Sequence, residues 1–255
     1  MADQHSLKRA RFRALHQEGC FVIPNPWDVG SARKLEKLGF KALATTGAGY
    51  AWSLGREDGQ LSRDETLHHL RTLCAATDLP VNADFETGYA DSAEGVYANV
   101  RMAIETGVAG LSIEDRDGRK LLDFPVAVER VRAARRAIDR SGEDVILVGR
   151  SEGHFIGKPD LEATIGRLIA YSEAGADCLY APGVNELPDI ARIVAAVSPK
   201  PVNVMMTGPN PGVADLAAIG VRRVSVGASL AAAAWRGFDA AAQMLHTEGR
   251  LPPRG

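Results

Sequence analysis

The sequence predicts a single (β/α)8 barrel of the TIM type, and three observations carry that prediction. Short apolar, β-branched runs recur along the whole chain at the spacing of a βα unit, each followed by a helix-like stretch. Several runs are preceded by a helix–glycine–strand signature, as in EKLGFKAL, ETGVAGLSI, EAGADCLY and AAIGVRRVSV, with Gly where a helix end favours positive φ. The length of 255 residues is close to the ~250 typical of an eight-fold barrel and leaves little room for a second domain.

In chain order, residues 1–19 read as a leading helix capped by Ser6 and stopped at Gly19, with Lys8, Arg9, Arg11 and Arg13 as a solvated basic face. The candidate strands follow at 20–24, 41–45, 80–84, 109–114, 145–150, 177–181, 201–205 and 222–226. Runs such as VILVG lack polar alternation, as parallel strands covered on both faces should. The stretch DETLHHLRTL is helical, with His68 and His69 expected at its surface. GPNPG at 208–212 is a rigid turn. The Ala-rich segment 228–247 is a C-terminal helix whose Trp235 and Phe238 anchor either the core or a subunit interface. No linker or low-complexity stretch divides 1–255, so one domain is expected.

Composition narrows the function classes. Charged residues make up 24% and the net charge is −2, which excludes a polybasic nucleic-acid binder or a membrane-surface protein. Cys20, Cys74 and Cys178 are odd in number and far apart, forming neither a disulfide framework nor a metal cluster. No apolar run approaches the ~18 residues of a membrane span, and no apolar stretch backs the N-terminal charges as a secretory signal would require. A cytoplasmic enzyme is the expectation. No GxGxxG follows the first strand, so dinucleotide binding has no support.

In such a barrel the active site lies at the C-terminal strand ends. There the chain places Asn25 and Asp28, Thr45 and Thr46, Asp84 and Glu86, Glu114 and Asp115, Arg150 and Glu152, and Asn203. Asp84 and Glu86 are two apart and share a face if the strand persists, with Glu114 beside them. Converging carboxylates repel unless neutralised. An oxygen-only set favours Mg²⁺ or Mn²⁺; salt bridges to Arg150, Arg116 or Lys120 are the alternative. Arg150 suits bidentate capture of an anion or an ion pair with Glu114 or Glu152. TTGAGYAW at 45–52 offers hydroxyls and backbone N–H groups after a strand, as an oxyanion cradle or a plain turn. His154 reads as an acid–base group or an ordinary loop histidine.

Taken together, NPWDVGSA (25–32), TTGAG (45–49), NADFETGYA (82–90), SIED (112–115) and VGRSEG (148–153) resemble, in order and spacing, the isocitrate lyase/phosphoenolpyruvate mutase superfamily. The likeness spans nearly the whole chain. It implies a modified barrel that binds Mg²⁺ and a 2-oxo acid or its enolate, and a homotetramer whose eighth helix is exchanged between paired subunits. By the same resemblance, Asp84 matches the direct metal ligand, while Glu86, Glu114 and Asp58 match carboxylates around the metal's water shell. Thr46, Gly47 and Ala48 match the turn that holds the substrate carboxylate, and Arg150 matches the arginine that stabilises charge on the bound acid. Tyr89 packs beside the motif or borders the pocket.

The loop after SIED departs from the family pattern. Isocitrate and methylisocitrate lyases carry Lys-Lys-Cys-Gly-His or Lys-Arg-Cys-Gly-His there, and mutases Lys-Thr-Asn-Ser. This chain reads DRDGRKLLDFP (115–125), without Cys or His. Lys120 is the catalytic candidate left in the loop, with Arg116, Arg119 and His154 as other replacements for the cysteine. With Asn203 as a further substrate contact, the expectation is a Mg²⁺-dependent C–C lyase or decarboxylase for an oxaloacetate-like acid or 2-hydroxy-dicarboxylate. A C–P bond-cleaving or phosphonomutase-type enzyme, or a silent 2-oxo-acid-binding protein, is the alternative.

Overall fold

The computed structural model describes residues 4–253, so residues 1–3 of the expected leading segment lie outside it. Its strands in chain order are β1 (Phe21–Ile23), β2 (Leu43–Ala44), β3 (Val81–Asp84), β4 (Gly110–Glu114), β5 (Arg116–Asp117), β6 (Lys120–Leu121), β7 (Ile146–Arg150), β8 (Cys178–Tyr180), β9 (Val202–Met205) and β10 (Arg223–Ser225). Eight of them make one parallel sheet in the order β1-β10-β9-β8-β7-β4-β3-β2. That is chain order wrapped round a cylinder. At the seam the Ala44 N–H donates to the Pro24 carbonyl at 3.0 Å. The Asn25 side chain donates to the Thr45 carbonyl and accepts from the Val226 N–H, each at 3.0 Å. The result is a nearly closed TIM-type barrel. All eight expected strands are present, slightly shorter than the sequence runs. The added pair, β5 and β6, is an antiparallel hairpin.

The two-residue period of the strands sorts their side chains. Val81, Ala83, Leu111, Leu147 and Val204 face outward into the large cluster shared with the helices. Ile23, Ala44, Val148, Cys178 and Tyr180 face inward. Asn82, Asp84, Ser112, Glu114, Arg150, Asn203, Arg223 and Ser225 share that inward parity, so the strands themselves carry a polar column into the barrel.

The leading helix, Gln4–Leu15, already runs through Ser6, which is therefore not its cap. It closes the N-terminal end of the barrel: fully buried Phe12 packs against Phe21 and Ile146 inside. Its basic face is not simply solvated. Lys8 Nζ donates to the carbonyls of Cys74 and Thr77 at 3.0 and 2.7 Å. Arg9 donates to those of Ile104 and Val108 at 2.9 and 3.1 Å and pairs with Glu143. Ile104 and Cys74 lie in the last turns of helices Ala93–Ile104 and Arg63–Ala76. Carbonyls there lack intrahelical donors and carry partial negative charge, so they draw the cations inward.

His69 also departs from expectation. It is buried with its ring stacked 3.7 Å from that of Tyr50, and burial pulls its pKa down to about 4. His68 is exposed. The three cysteines are free, with Cys74 and Cys178 buried. The C-terminal helix Ser229–Glu248 buries only Ala231. No helix among the described residues is long and apolar enough to cross a membrane.

Candidate active site

A cavity of about 120 Å³ opens at the C-terminal mouth of the barrel, with Arg116 and Phe155 among its lining residues. Most of its walls are strand ends. Thr45 follows β2, and its hydroxyl accepts from the Asp84 N–H at 2.8 Å. Thr46 caps helix Gly47–Ser53 by accepting from the Gly49 N–H at 3.2 Å. The Gly47 N–H donates to Asp84 Oδ2 at 3.2 Å. Thr46 and Ala48 line the cavity beside Asp84, Glu86 and Asp58.

The strand does not persist to Glu86. It ends at Asp84, Phe85 turns fully into the core, and Glu86 and Tyr89 take left-handed φ values of 45° and 54°. Such values are uncommon outside Gly. The tight turn, rather than strand parity, returns Glu86 to the cavity wall. Tyr89 packs edge-on against Phe85 and bonds Thr66 through its hydroxyl at 2.8 Å.

The carboxylates fall into two groups. A point one Cβ bond from Gly47 lies 3.6 Å from Asp84 Oδ2, 3.6 Å from Glu86 Oε1 and 3.9 Å from Asp58 Oδ1. Three acidic oxygens thus converge on a space that only glycine leaves open. Glu86 Oε1 is buried without a hydrogen-bond partner. Burial, reinforced by Asp84, pushes the Glu86 pKa up to about 7. Glu114, by contrast, is paired with Arg150 and Arg116 at 3.2 and 3.3 Å. Of the four acids expected around the metal, Asp84, Glu86 and Asp58 face the space at Gly47, while Glu114 lines the same cavity paired with both arginines.

These donors fit a small hard cation. They are all oxygens, one is an orphaned buried carboxylate, and Mg²⁺ takes few protein ligands while retaining several waters. Among the described residues no three acidic, His or Cys side chains form a ready-made cage. A mainly water-mediated shell does not require one.

Arg150 is held by three acids: Asp84 and Glu114, both at 3.2 Å, and Glu152. These raise its pKa against the opposing effect of burial. Its plane lies over the Tyr180 ring at 5.1 Å. Arg116 adds a second cation, reaching Glu114 at 3.3, Asp58 at 3.6 and Glu152 at 3.7 Å. Both ion-pair alternatives in the sequence are thus realised.

Lys120, Asn203, Asp28 and His154 stand elsewhere. Lys120 is exposed on β6 and does not line the cavity, because hairpin alternation turns it outward while Arg116 turns in. Asn203 is buried beneath the cavity, accepting from Arg223 Nε at 2.9 Å and donating to Ser225 Oγ at 3.0 Å. Asp28 caps helix Val29–Lys37, and His154 bonds Thr164 at 3.2 Å away from the cavity. Asp115 accepts from Tyr171, Ser151, Arg167 and the Glu152 N–H, anchoring the hairpin to β7.

Sequence reasoning missed Arg223, Asn82 and Tyr180 as cavity residues. The signal for Arg223 was its place two residues before Ser225, on the same face of the strand.

Comparison with known proteins bears on this geometry. A family model described as phosphoenolpyruvate phosphomutase matches residues 12–246. The chain is 30% identical over 261 residues to oxaloacetate decarboxylase of Paraburkholderia xenovorans (strain LB400), covering 97% of this chain and 83% of that one. It is 30% identical over 204 residues to 2-methylisocitrate lyase of Escherichia coli (strain K12), covering 76% and 68%. A crystal structure from Burkholderia cenocepacia J2315, provisionally described as a lyase/mutase, superposes with a TM-score of 0.95 at 45% identity, covering 98% and 92%.

Proposed function

The chain belongs to the phosphoenolpyruvate mutase family, within the isocitrate lyase/phosphoenolpyruvate mutase superfamily of lyases and mutases, and from that premise we propose that it is a Mg²⁺-dependent C–C lyase or decarboxylase for an oxaloacetate-like acid. The observation that carries this reading is the convergence of Asp84, Glu86 and Asp58 oxygens on the open space at Gly47, with the Arg150 guanidinium 3.2 Å from Asp84.

Asp84, Glu86 and Asp58 would hold Mg²⁺ or Mn²⁺, which when bound supplies a Lewis acid for the acid's C2 oxygen. Arg150 supplies a fixed positive charge beside the same place. Its ion pairs with Glu114 and Glu152 hold it there before substrate arrives, so little reorganisation is needed as charge develops. Thr46 and the backbone of Gly47 and Ala48 position the substrate carboxylate. The small cavity excludes most water and so strengthens each of these interactions.

Decarboxylation asks least of a loop that lacks Cys and His. The C3–C4 bond breaks, CO2 leaves, the pair of electrons from that bond delocalises into the enolate, and C3 then takes a proton from water. Oxaloacetate would yield pyruvate and CO2. The name of the Paraburkholderia relative agrees with this chemistry.

The test, with Mg²⁺ present, is release of pyruvate from oxaloacetate, or of the corresponding 2-oxo acid by C–C cleavage of 2-hydroxy-dicarboxylates. Asp84→Ala should reduce the rate at least about 100-fold, near 3 kcal/mol of transition-state stabilisation; full activity in that variant would sink the site. Binding without turnover across the panel would make this a 2-oxo-acid-binding protein. The family model's description favours C–P chemistry as the second reading, tested with phosphonopyruvate by phosphate release.

The proposal extends to assembly: a homotetramer in which helix Ser229–Glu248 packs on a paired subunit.

A further inference from the structure

We propose that Arg223 is an anion anchor at the floor of this cavity, and that the acid bound there is a dicarboxylate with one carboxylate seated on it. This rests on the reading of the cavity as a site for a small acid and goes further by naming what its inner end recognises.

Arg223 lines the cavity yet is only 3% exposed. Arg150 and Arg116, which line the same cavity, are each met by three carboxylates. Among the described residues no Asp or Glu comes within salt-bridge distance of Arg223. Its partners are neutral amides: Nε donates to Asn203 Oδ1 at 2.9 Å and Nη1 to Asn82 Oδ1 at 3.3 Å. On another side its plane meets the Phe12 ring at 5.9 Å. The amide oxygens satisfy N–H groups but leave the charge uncompensated, and a buried charge without a counter-ion is costly. A ligand anion entering the cavity would provide the missing partner.

Two levels of the barrel are open to a ligand with an acidic group at each end. Asn82, which Arg223 touches, lies two residues before Asp84 on β3. That is about 6.6 Å along the strand, so Arg223 meets the cavity a level deeper in the barrel than the acids at Gly47. One carboxylate would lie at the Gly47–Ala48 turn and the other on Arg223. A monocarboxylate reaches only one of them.

Calorimetry with Mg²⁺, using malate and lactate, tests the idea because the two differ by one carboxylate. Wild type should favour malate by at least tenfold. Arg223→Gln and Asn203→Asp should abolish that preference, and Arg223→Lys should keep most of it. Asn203→Asp is nearly isosteric and gives Arg223 an internal counter-ion, so it tests the anchor even if Arg223→Gln fails to fold. A purely structural role would shift melting temperatures but leave the malate-to-lactate ratio unchanged in both variants, and that result overturns the proposal. A wild type that binds both acids equally overturns it as well.

If no acid binds in a Mg²⁺-dependent way, the earlier reading falls and the anchor is judged by malate-induced thermal stabilisation without metal. Stabilisation of wild type but not of Asn203→Asp sustains the anchor. Equal shifts, or no shift in wild type, overturn it.

Discussion

Glu86 is a carboxylate held where its charge is disfavoured. Burial acts first and Asp84 second, pushing its pKa from 4.5 to about 7. In metal-free protein the folded state therefore holds a proton that the unfolded chain has already released between those values. The stabilising contribution is complete below pH 4.5 and is lost as pH rises through 7. Urea midpoints of wild type should fall relative to those of Glu86→Gln between pH 5 and pH 7.5. Parallel pH profiles would assign the slope to other groups. Gly47 offers a separate test of the same space. A methyl there meets the nearest oxygens at 3.6 Å, an ordinary contact, so Gly47→Ala should keep its melting temperature. Because the methyl fills the space facing all three oxygens, Mg²⁺ affinity should fall at least about tenfold, about 1.4 kcal/mol. Calorimetric titration reads this directly, and wild-type affinity in that variant would locate the ion elsewhere. Asp84, Glu86 and Asp58 were legible because acids that end apolar strands or match a family motif stand out. Arg223 was not: in RRVSV two adjacent arginines looked like a polar strand start, and only the inward position of Ser225 distinguishes them.

At the scale of elements, the hairpin of β5 and β6 decides which loop residue reaches the cavity. Asp115 fixes its base through Tyr171 at 2.6 Å and the Glu152 N–H at 2.8 Å. Gly118, at φ 59°, supplies the left-handed turn. Arg116 then points at Glu114 and Asp58, and Lys120 points to solvent. Lys120→Ala should change kcat/KM by no more than about twofold, whereas Arg116→Ala should lower it by about tenfold or more by releasing acids around the cavity. The reverse ranking would restore the lysine to the chemistry. The eight barrel strands were legible because short β-branched runs recur at the spacing of a βα unit, several of them behind a helix–glycine turn. The hairpin was not, since DRDGRKLL is short, polar and indistinguishable from an irregular loop. The leading helix was half legible. Its existence followed from pattern, but burial of Lys8 and Arg9 depends on carbonyls at the ends of two distant helices.

At the scale of the molecule, the leading helix and the C-terminal helix have opposite fates. The first closes the barrel with Phe12, while the second projects some 30 Å, from 20 residues at 1.5 Å each, with only Ala231 buried. Trp235, Phe238 and Leu245 are 38%, 62% and 50% exposed. At 100° per residue they fall on one stripe with Ala231. Trp235 and Phe238 meet edge to face at 5.8 Å, forming an aromatic ridge that a helix held only by its own chain would leave in water. Such a stripe marks a contact surface, and the exchanged helix implied by the family pattern would cover it. Phe238→Glu removes the most exposed ring of the stripe and places a charge in its centre. Little packing within the chain is lost, so the barrel should keep its circular dichroism and melting profile. Light scattering should instead report a drop from tetramer to a smaller species. A wild type that is monomeric at micromolar concentration, or a Phe238→Glu protein of unchanged mass, would show that this helix does not join subunits.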